Sequence, residues 1–248
     1  MLGPRPPRRW PAAALPAAVL AVVLVLAACV GGGGKDGTGG RTPPGDDQRV
    51  KRPNIVYILA DDLSWDLLDY MPNVKRLQKR GMTFSNYFVS DTLCCPSRAT
   101  ILTGKYPHNT GVRSNDPPKG GFQVFRDRGN ERDTFAVSLQ KAGYRTALMG
   151  KYLNGYETTK EQGSSRTYVP PGWTEWQVTG LGYANYNYRL NSNGILVHHG
   201  RLPKDYLTSV ISAKGVDFIN RASDAGQPFL LMMSTFTPHA PATPAPED

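Results

Sequence analysis

Asn54-Ile55-Val56-Tyr57-Ile58-Leu59-Ala60-Asp61-Asp62 is the stretch on which the fold turns. Its apolar run is nearly continuous, as expected of a central strand buried on both faces of a parallel sheet, and it stops abruptly at two acids. Downstream, Pro72 can open a short helix carrying Val74 and Leu77, with Gly81 as its stop. Thr83 to Val89 reads as a second strand, and Pro96 takes a first helical position leading into Ile101 and Leu102, with Gly104 closing the turn. Asp133 can cap a helix through Phe135, Ala136 and Leu139 that Gly143 ends. Tyr144 to Met149 is a further strand. Leu207, Val210, Ile211, Lys214 and Phe218 follow helical spacing with one polar interruption, and Phe229 to Thr235 returns to an apolar strand. The alternation predicts an α/β fold: a mostly parallel central sheet with helices on both faces.

In such sheets ligands gather where the strands reach their carboxyl ends. Read there, the first strand runs into Asp61-Asp62, and the second into the loop holding Cys94-Cys95-Pro96-Ser97-Arg98. A later strand runs into Gly150-Lys151-Tyr152, and the last into Thr237-Pro238-His239. Adjacent carboxylates at an apolar strand end need solvent or a cation, and a hard divalent ion would take them as part of a larger oxygen shell. A residue beside a helix start faces backbone N–H groups and the positive end of the helix dipole, which favours a tetrahedral anion. Arg98 offers a bidentate fork, and Lys151 a point charge.

Composition narrows the class. The 248 residues are 40% hydrophobic, carry three Cys and have a formal net charge of +9. That excludes a disordered tail, a disulfide scaffold and a collagen-like repeat, and it suits one domain with a substantial core. The basic excess is ordinary for a soluble protein, although it would also favour a polyanionic substrate; no nucleic-acid partner is expected. Cys94 and Cys95 do not suit a structural disulfide. Neighbouring Cα atoms lie about 3.8 Å apart, below the roughly 4.4 Å minimum of ordinary bridges, so chemistry at one thiol is the sharper reading.

The amino-terminus reads as an address. Arg5, Arg8 and Arg9 precede an apolar run whose uninterrupted part, Ala17 to Ala28, falls short of the about 20 residues that span a bilayer. Residues 1–28 are therefore expected to be an export signal. Leu26-Ala27-Ala28-Cys29 resembles the cleavage box of bacterial lipoproteins, which implies lipidation at Cys29 and a membrane anchor on the outer side of the cell, the alternative being plain secretion. Residues 29–50 are rich in Gly and Pro and read as a tether, leaving 51–248 as the globular part.

Cys94-Cys95-Pro96-Ser97-Arg98, continued by Ala99-Thr100-Ile101-Leu102-Thr103-Gly104, resembles the sulfatase signature C-x-P-S-R with its downstream T-G. Gly143 to Tyr152 resembles the second sulfatase signature. Cys94-Cys95, Lys151-Tyr152-Leu153-Asn154, Asp205-Tyr206-Leu207-Thr208 and Thr237-Pro238-His239-Ala240-Pro241 are most similar to the N-acetylglucosamine-6-sulfatase branch. The resemblance implies an alkaline-phosphatase-like sulfatase domain, of which 51–248 would be the N-terminal part. It implies that a formylglycine-generating enzyme converts Cys94 to formylglycine, whose hydrate attacks sulfur and then releases sulfate. It further implies Asp61, Asp62 and the residue at Cys94 as ligands of a divalent metal, usually Ca²⁺. Arg98 would hold that region in place, while Lys151 and His239 would bind the sulfate of a sulfated carbohydrate and His239 could protonate the leaving oxygen.

Two departures accompany it. Many sulfatases carry a His two residues after the signature Lys, where this chain has Leu153, so the base for the collapse step is unassigned. Further ligands are expected from a segment beyond the His239 strand. A formylglycine phosphodiesterase or phosphonate hydrolase is the alternative hydrolase, and an inactive glycan-binding fragment the non-catalytic one. His108 is read as ordering its loop and His198-His199 as a polar hairpin rather than a metal site. Trp173, Trp176, Tyr183, Tyr186 and Tyr188 are read as core and hairpin packing, with stacking on sugar rings as the alternative.

Overall fold

A computed structural model describes residues 52–156 and 167–246. The export signal, the tether and Cys29 lie outside the described residues. Among those described, no helix is long and apolar enough to cross a membrane.

The strands are β1 (Ile55–Asp61), β2 (Arg145–Lys151), β3 (Glu175–Thr179), β4 (Tyr188–Ser192), β5 (Ile195–His199) and β6 (Phe229–Pro238). They form one mixed sheet in the order β1-β6-β2-β3-β4-β5. The four strands from β1 to β3 run parallel, while β4 and β5 form an antiparallel hairpin on the far side. Asn193 and Gly194, both at positive φ, make the hairpin's two-residue turn. The helices are α1 (Pro72–Arg80), α2 (Cys94–Thr103), α3 (Pro107–Thr110), α4 (Gly121–Asp127), α5 (Phe135–Lys141) and α6 (Leu207–Asp224).

Helices cover both faces, as the alternation requires. On one face Cys95, Ala99 and Leu102 of α2, Phe122 and Phe125 of α4 and Ala136 of α5 pack with Leu148, Trp176, Leu230 and Met232 of the sheet. On the other, Leu207, Ile211, Phe218 and Ala222 of α6 close over Ala147, Met149, Phe229 and Leu231. Fully burying one such aliphatic or aromatic side chain is worth about 1.5–3 kcal/mol, so these two layers hold the sheet together.

The structure corrects the reading of the opening strand. β1 lies at the sheet edge among the described residues, hydrogen-bonded to β6 alone. Its inner side packs beneath α2, but Val56 and Ile58 remain 48% and 61% exposed because α6 covers β2 and β6 instead. The truly central strands are β2 and β6, whose apolar runs are buried on both faces. Thr83 to Val89 is not a strand: among the described residues its backbone pairs with no other strand, and Phe84, Tyr87 and Phe88 are exposed. Apolar content alone does not supply a ladder to join.

Three smaller corrections follow. Helix α2 starts at Cys94 rather than Pro96, so the proline occupies the third position of the first turn, where its missing N–H costs nothing. Gly104 ends that helix in the left-handed region, as read. The cap of α5 is Thr134, whose hydroxyl accepts from the Val137 N–H, while Asp133 turns outward to an exposed ion pair with Lys105. β3, hidden in the aromatic segment, brings Trp176 fully into the core.

Candidate active site

β1, β2 and β6 run parallel, so Asp61, Lys151 and His239 reach the same edge of the sheet. Along a strand successive side chains alternate faces, yet Asp61 and Asp62 share this edge. The reason is local: Asp62 sits at φ 60°, a left-handed turn that Asp tolerates and that breaks the alternation. From the opposite layer, α2 delivers Cys94 and Arg98, one turn apart. Ligand atoms of Asp61, Asp62 and Cys94 lie within 4.8 Å of one another, the one such group among the described residues.

Asp61 is the hub. It is 4% exposed, and one carboxylate oxygen accepts from Arg98 Nη2 at 3.0 Å while the other accepts from Lys151 Nζ. The Cys94 thiol points at the first of these oxygens from 3.8 Å. Burial pushes the Asp61 carboxyl up, but the hydrogen bonds and charges of Lys151 and Arg98 outweigh it and hold the pKa below the usual value. Burial likewise disfavours the Lys151 ammonium, and the Asp61 partner more than compensates, keeping it charged. Both members of the pair therefore shift towards their charged forms.

Arg98 does not present a free fork. Nη1 donates to Ser234 Oγ at 2.6 Å and to the Lys151 carbonyl at 3.2 Å, while Nη2 is spent on Asp61. Its place is structural support for the carboxylate and for the ends of β2 and β6. Gly150 lets those two strands come together there: at φ +103° its absent Cβ would meet the Ser234 carbonyl at 2.0 Å. The start of α2 is also less open than the sequence suggested, because the Cys95 N–H donates to Asn115 Oδ1 at 2.8 Å.

The two thiols differ. Cys95 is wholly buried, its sulfur accepts from the Asn154 N–H at 3.1 Å, and burial pushes its pKa up to about 12. Cys94 is only partly covered and faces the carboxylates; burial raises its pKa too, against the pull of Lys151. Neither thiol is poised as a thiolate. His239 Nε2 lies 3.5 Å from Asp62 Oδ2, and Nδ1 donates to the Ala240 carbonyl at 2.7 Å.

Sequence reasoning missed Ser234, Asn115 and Tyr183. Ser234 interrupts the apolar run of β6 and was the one legible signal. Asn115 lies in an irregular loop with nothing to mark it. Tyr183, read as packing, reaches the site from the β3–β4 connection, its ring 4.8 Å from Lys151 Nζ. The other members of that aromatic group pack as expected: Trp173, Trp176 and Tyr188 are buried, and Tyr186 stands edge-on to Tyr206. His108 stacks on Tyr106, and His199 stacks on Tyr188 beside Asp205; neither belongs to the Asp61, Asp62 and Cys94 group.

The Cys–Asp–Arg–Lys–His cluster sits at the carboxyl edge of an α/β sheet, and comparison with known proteins identifies the family. The sequence model of the Sulfatase family matches residues 53–248, and the chain belongs to that family. It is 39% identical over 204 residues to the human N-acetylglucosamine-6-sulfatase, covering 80% of this chain and 36% of that protein. It is 41% identical over 200 residues to a putative extracellular sulfatase Sulf-1 homolog of Caenorhabditis elegans, covering 78% of this chain and 27% of the relative. A solved structure described as in complex with its substrate D-glucosamine-2-N,6-O-disulfate superposes with a TM-score of 0.62 at 28% identity, covering 79% of this chain and 37% of that one. The chain thus spans about a third of the length of the relatives it matches.

Proposed function

We propose that the protein is an exported sulfuric ester hydrolase that removes sulfate from glucosamine-6-sulfate-type units of sulfated carbohydrates. The observation that carries this reading is the convergence of Cys94, Asp61, Asp62, Lys151 and His239 at one edge of the sheet, with Asp61 ion-paired to Lys151 and His239 Nε2 3.5 Å from Asp62. The named relatives supply the ester class.

The donor set fits a hard divalent cation such as Ca²⁺ in part: Asp61 and Asp62 would contribute some of the six to eight oxygens such an ion takes, and residue 94 would add oxygen only once its thiol is converted. Bound there, it would offset negative charge on the ester's oxygens. Cys94, converted to formylglycine, would supply an aldehyde carbon that hydrates to an oxygen nucleophile, which the protonated thiol is not. The chain's other residues bind and orient. Arg98 keeps Asp61 aimed while Lys151 grips the sulfate. His239 faces the site through Nε2, since Nδ1–H is committed to the Ala240 carbonyl; in the imidazolium form the second proton sits on Nε2, the atom that would pass it to the departing alcohol. Such acid help is commonly worth about 10²–10⁴-fold.

Mass spectrometry of the Cys94 peptide, taken with turnover of glucosamine-6-sulfate and the matching phosphate ester, tests this. Aldehyde at residue 94 and preference for the sulfate are expected. An unmodified thiol with full activity, or preference for the phosphate, would overturn the reading. The amino-terminal box adds a localisation: lipidated at Cys29, the protein partitions with membranes, and Cys29→Ser releases or misprocesses it. Unmodified Cys29 inside a soluble secreted product would refute the anchor.

A further inference from the structure

Tyr183 belongs to none of the strand ends that build the site, yet it touches both groups assigned to the sulfate. Its ring centroid lies 4.8 Å from Lys151 Nζ and 4.8 Å from the His239 ring, and it stands edge-on to Phe236 at 5.0 Å. The aromatic face is the negative end of the ring quadrupole, so an ammonium over it is attracted as well as packed. Phe236 lends a second face to the same ammonium at 5.7 Å. The connection that delivers Tyr183 is held firmly. At Gly182 any Cβ would meet Leu207 Cδ2 at 2.4 Å and Phe236 Cε2 at 2.6 Å, so the backbone lies directly on the core. Asn185 pins the other side: its N–H donates to the Gly182 carbonyl, its carbonyl accepts from the Leu207 N–H, and its Oδ1 accepts from Thr208 Oγ1.

We infer that Tyr183 is a positioning residue of the sulfate site, an aromatic wall that sets the spacing of Lys151 and His239 as they meet the ester. The inference rests on the sulfatase reading and deepens it. Lys151 is a flexible four-carbon stem with one ion-pair partner among the described residues, Asp61; a partner on a second side narrows where its charge can sit. His239 lies just past β6 with 29% of its side chain exposed, so a ring packed on it does for the imidazole what no ladder hydrogen bond can.

The test compares Tyr183→Phe, which keeps the aromatic face, with Tyr183→Leu, which fills similar space without it, in the full-length protein. Inorganic sulfate affinity by calorimetry and kcat/KM on a sulfate ester are both read. Tyr183→Leu is expected to weaken sulfate binding by about three- to ten-fold and to lower kcat/KM at least as much, while Tyr183→Phe stays within about two-fold of wild type. Melting temperatures separate misfolding from mispositioning, and Tyr183→Met replaces the leucine variant if that does not fold. Wild-type sulfate affinity in the leucine or methionine variant, or an equal loss in the phenylalanine variant, would overturn the positioning role. A wild-type protein that neither binds inorganic sulfate nor hydrolyses the ester would instead refute the sulfatase reading, and this inference with it.

Discussion

Asp61 and Glu131 are buried to nearly the same depth, 4% and 5% exposed, in two regions that treat a carboxyl group in opposite ways. At the carboxyl edge of the sheet, Asp61 is wedged between an ammonium and a guanidinium and its pKa falls. In the aromatic layer, Glu131 has no cation within ion-pair distance among the described residues, and Arg126 acts on it only as a more distant charge. It accepts from two phenols, Tyr168 at 2.6 Å and Tyr152 at 3.3 Å, and burial raises its pKa against their pull. Around it Trp176 and Asn191 both donate to Tyr156 Oη at 2.8 Å, and Tyr152, Tyr156 and Trp176 meet edge to face. Depth does not decide the charge state; the partners do. Charged partners keep Asp61 ionised, whereas mainly neutral ones make Glu131 a hydrogen-bond post for Tyr152 and Tyr168.

The hardest blow to this contrast is Asp61→Asn. It leaves Lys151 and Arg98, 3% and 4% exposed, without their counter-charge. Breaking a buried pair from one side commonly costs about 3–5 kcal/mol. Chemical denaturation is expected to show a loss of that size, together with loss of ester turnover. A variant as stable as the parent would mean that the charges are solvated and the pairing incidental.

Next in size is the asymmetry of the two thiols. Cys94→Ala removes the group facing Asp61 and is expected to abolish turnover with little change in stability. Cys95→Ala removes a buried sulfur that accepts the Asn154 N–H, and is expected to cost about 1–2 kcal/mol while most turnover remains. Equal loss of turnover from both would sink the assignment of Cys94.

These residues also show what the sequence made legible. Asp61-Asp62, Lys151 and His239 could be found because each directly follows an apolar run, and strand ends in a parallel sheet converge. Arg98 and Cys94 were legible through their signature, although the helix that carries them begins two residues before its proline. Legibility failed where tertiary context decides. Val56 and Ile58 have the composition of a central strand, and only the placement of α6 over β2 and β6 exposes them. Thr83 to Val89 has strand-like residues but no neighbouring backbone to bond. Glu131, within Asn130-Glu131-Arg132-Asp133, looks like a polar surface turn; its burial comes from Tyr152 and Tyr168, distant in the chain. Tyr183 sits in a connection whose path no periodicity specifies.

The acid dependence of stability should separate the two carboxyls by sign. Asp61 has a lowered folded pKa, so its contribution is present above its unfolded value near 3.8 and is lost as pH falls through the folded value. Glu131 has a raised folded pKa. Its ionisation is harder in the folded state, so stability falls as pH climbs from the unfolded value near 4.5 through the folded one. Glu131→Gln should remove that decline and, at neutral pH, cost little or add stability. A glutamine variant whose profile parallels the parent would show that Glu131 titrates normally.

The smallest effect expected is that of Tyr168→Phe. Tyr168 Oη gives Glu131 its shorter hydrogen bond, and its ring also lies 4.7 Å from the Arg126 guanidinium. Phenylalanine keeps the ring, and with it the contact to arginine, so the change isolates one hydrogen bond. With Tyr152 the remaining side-chain donor among the described residues, the carboxylate is less well supported, and the pKa of Glu131 should rise further. The protonated acid can then donate in its own right, which limits the penalty to about 1 kcal/mol at neutral pH and to less in mild acid, where the raised pKa keeps more of the carboxyl protonated. Denaturation midpoints of Tyr168→Phe against the parent, at neutral pH and near pH 4.5, read the difference directly. A penalty that stays the same at both values would mean that the charge state of Glu131 does not change between them.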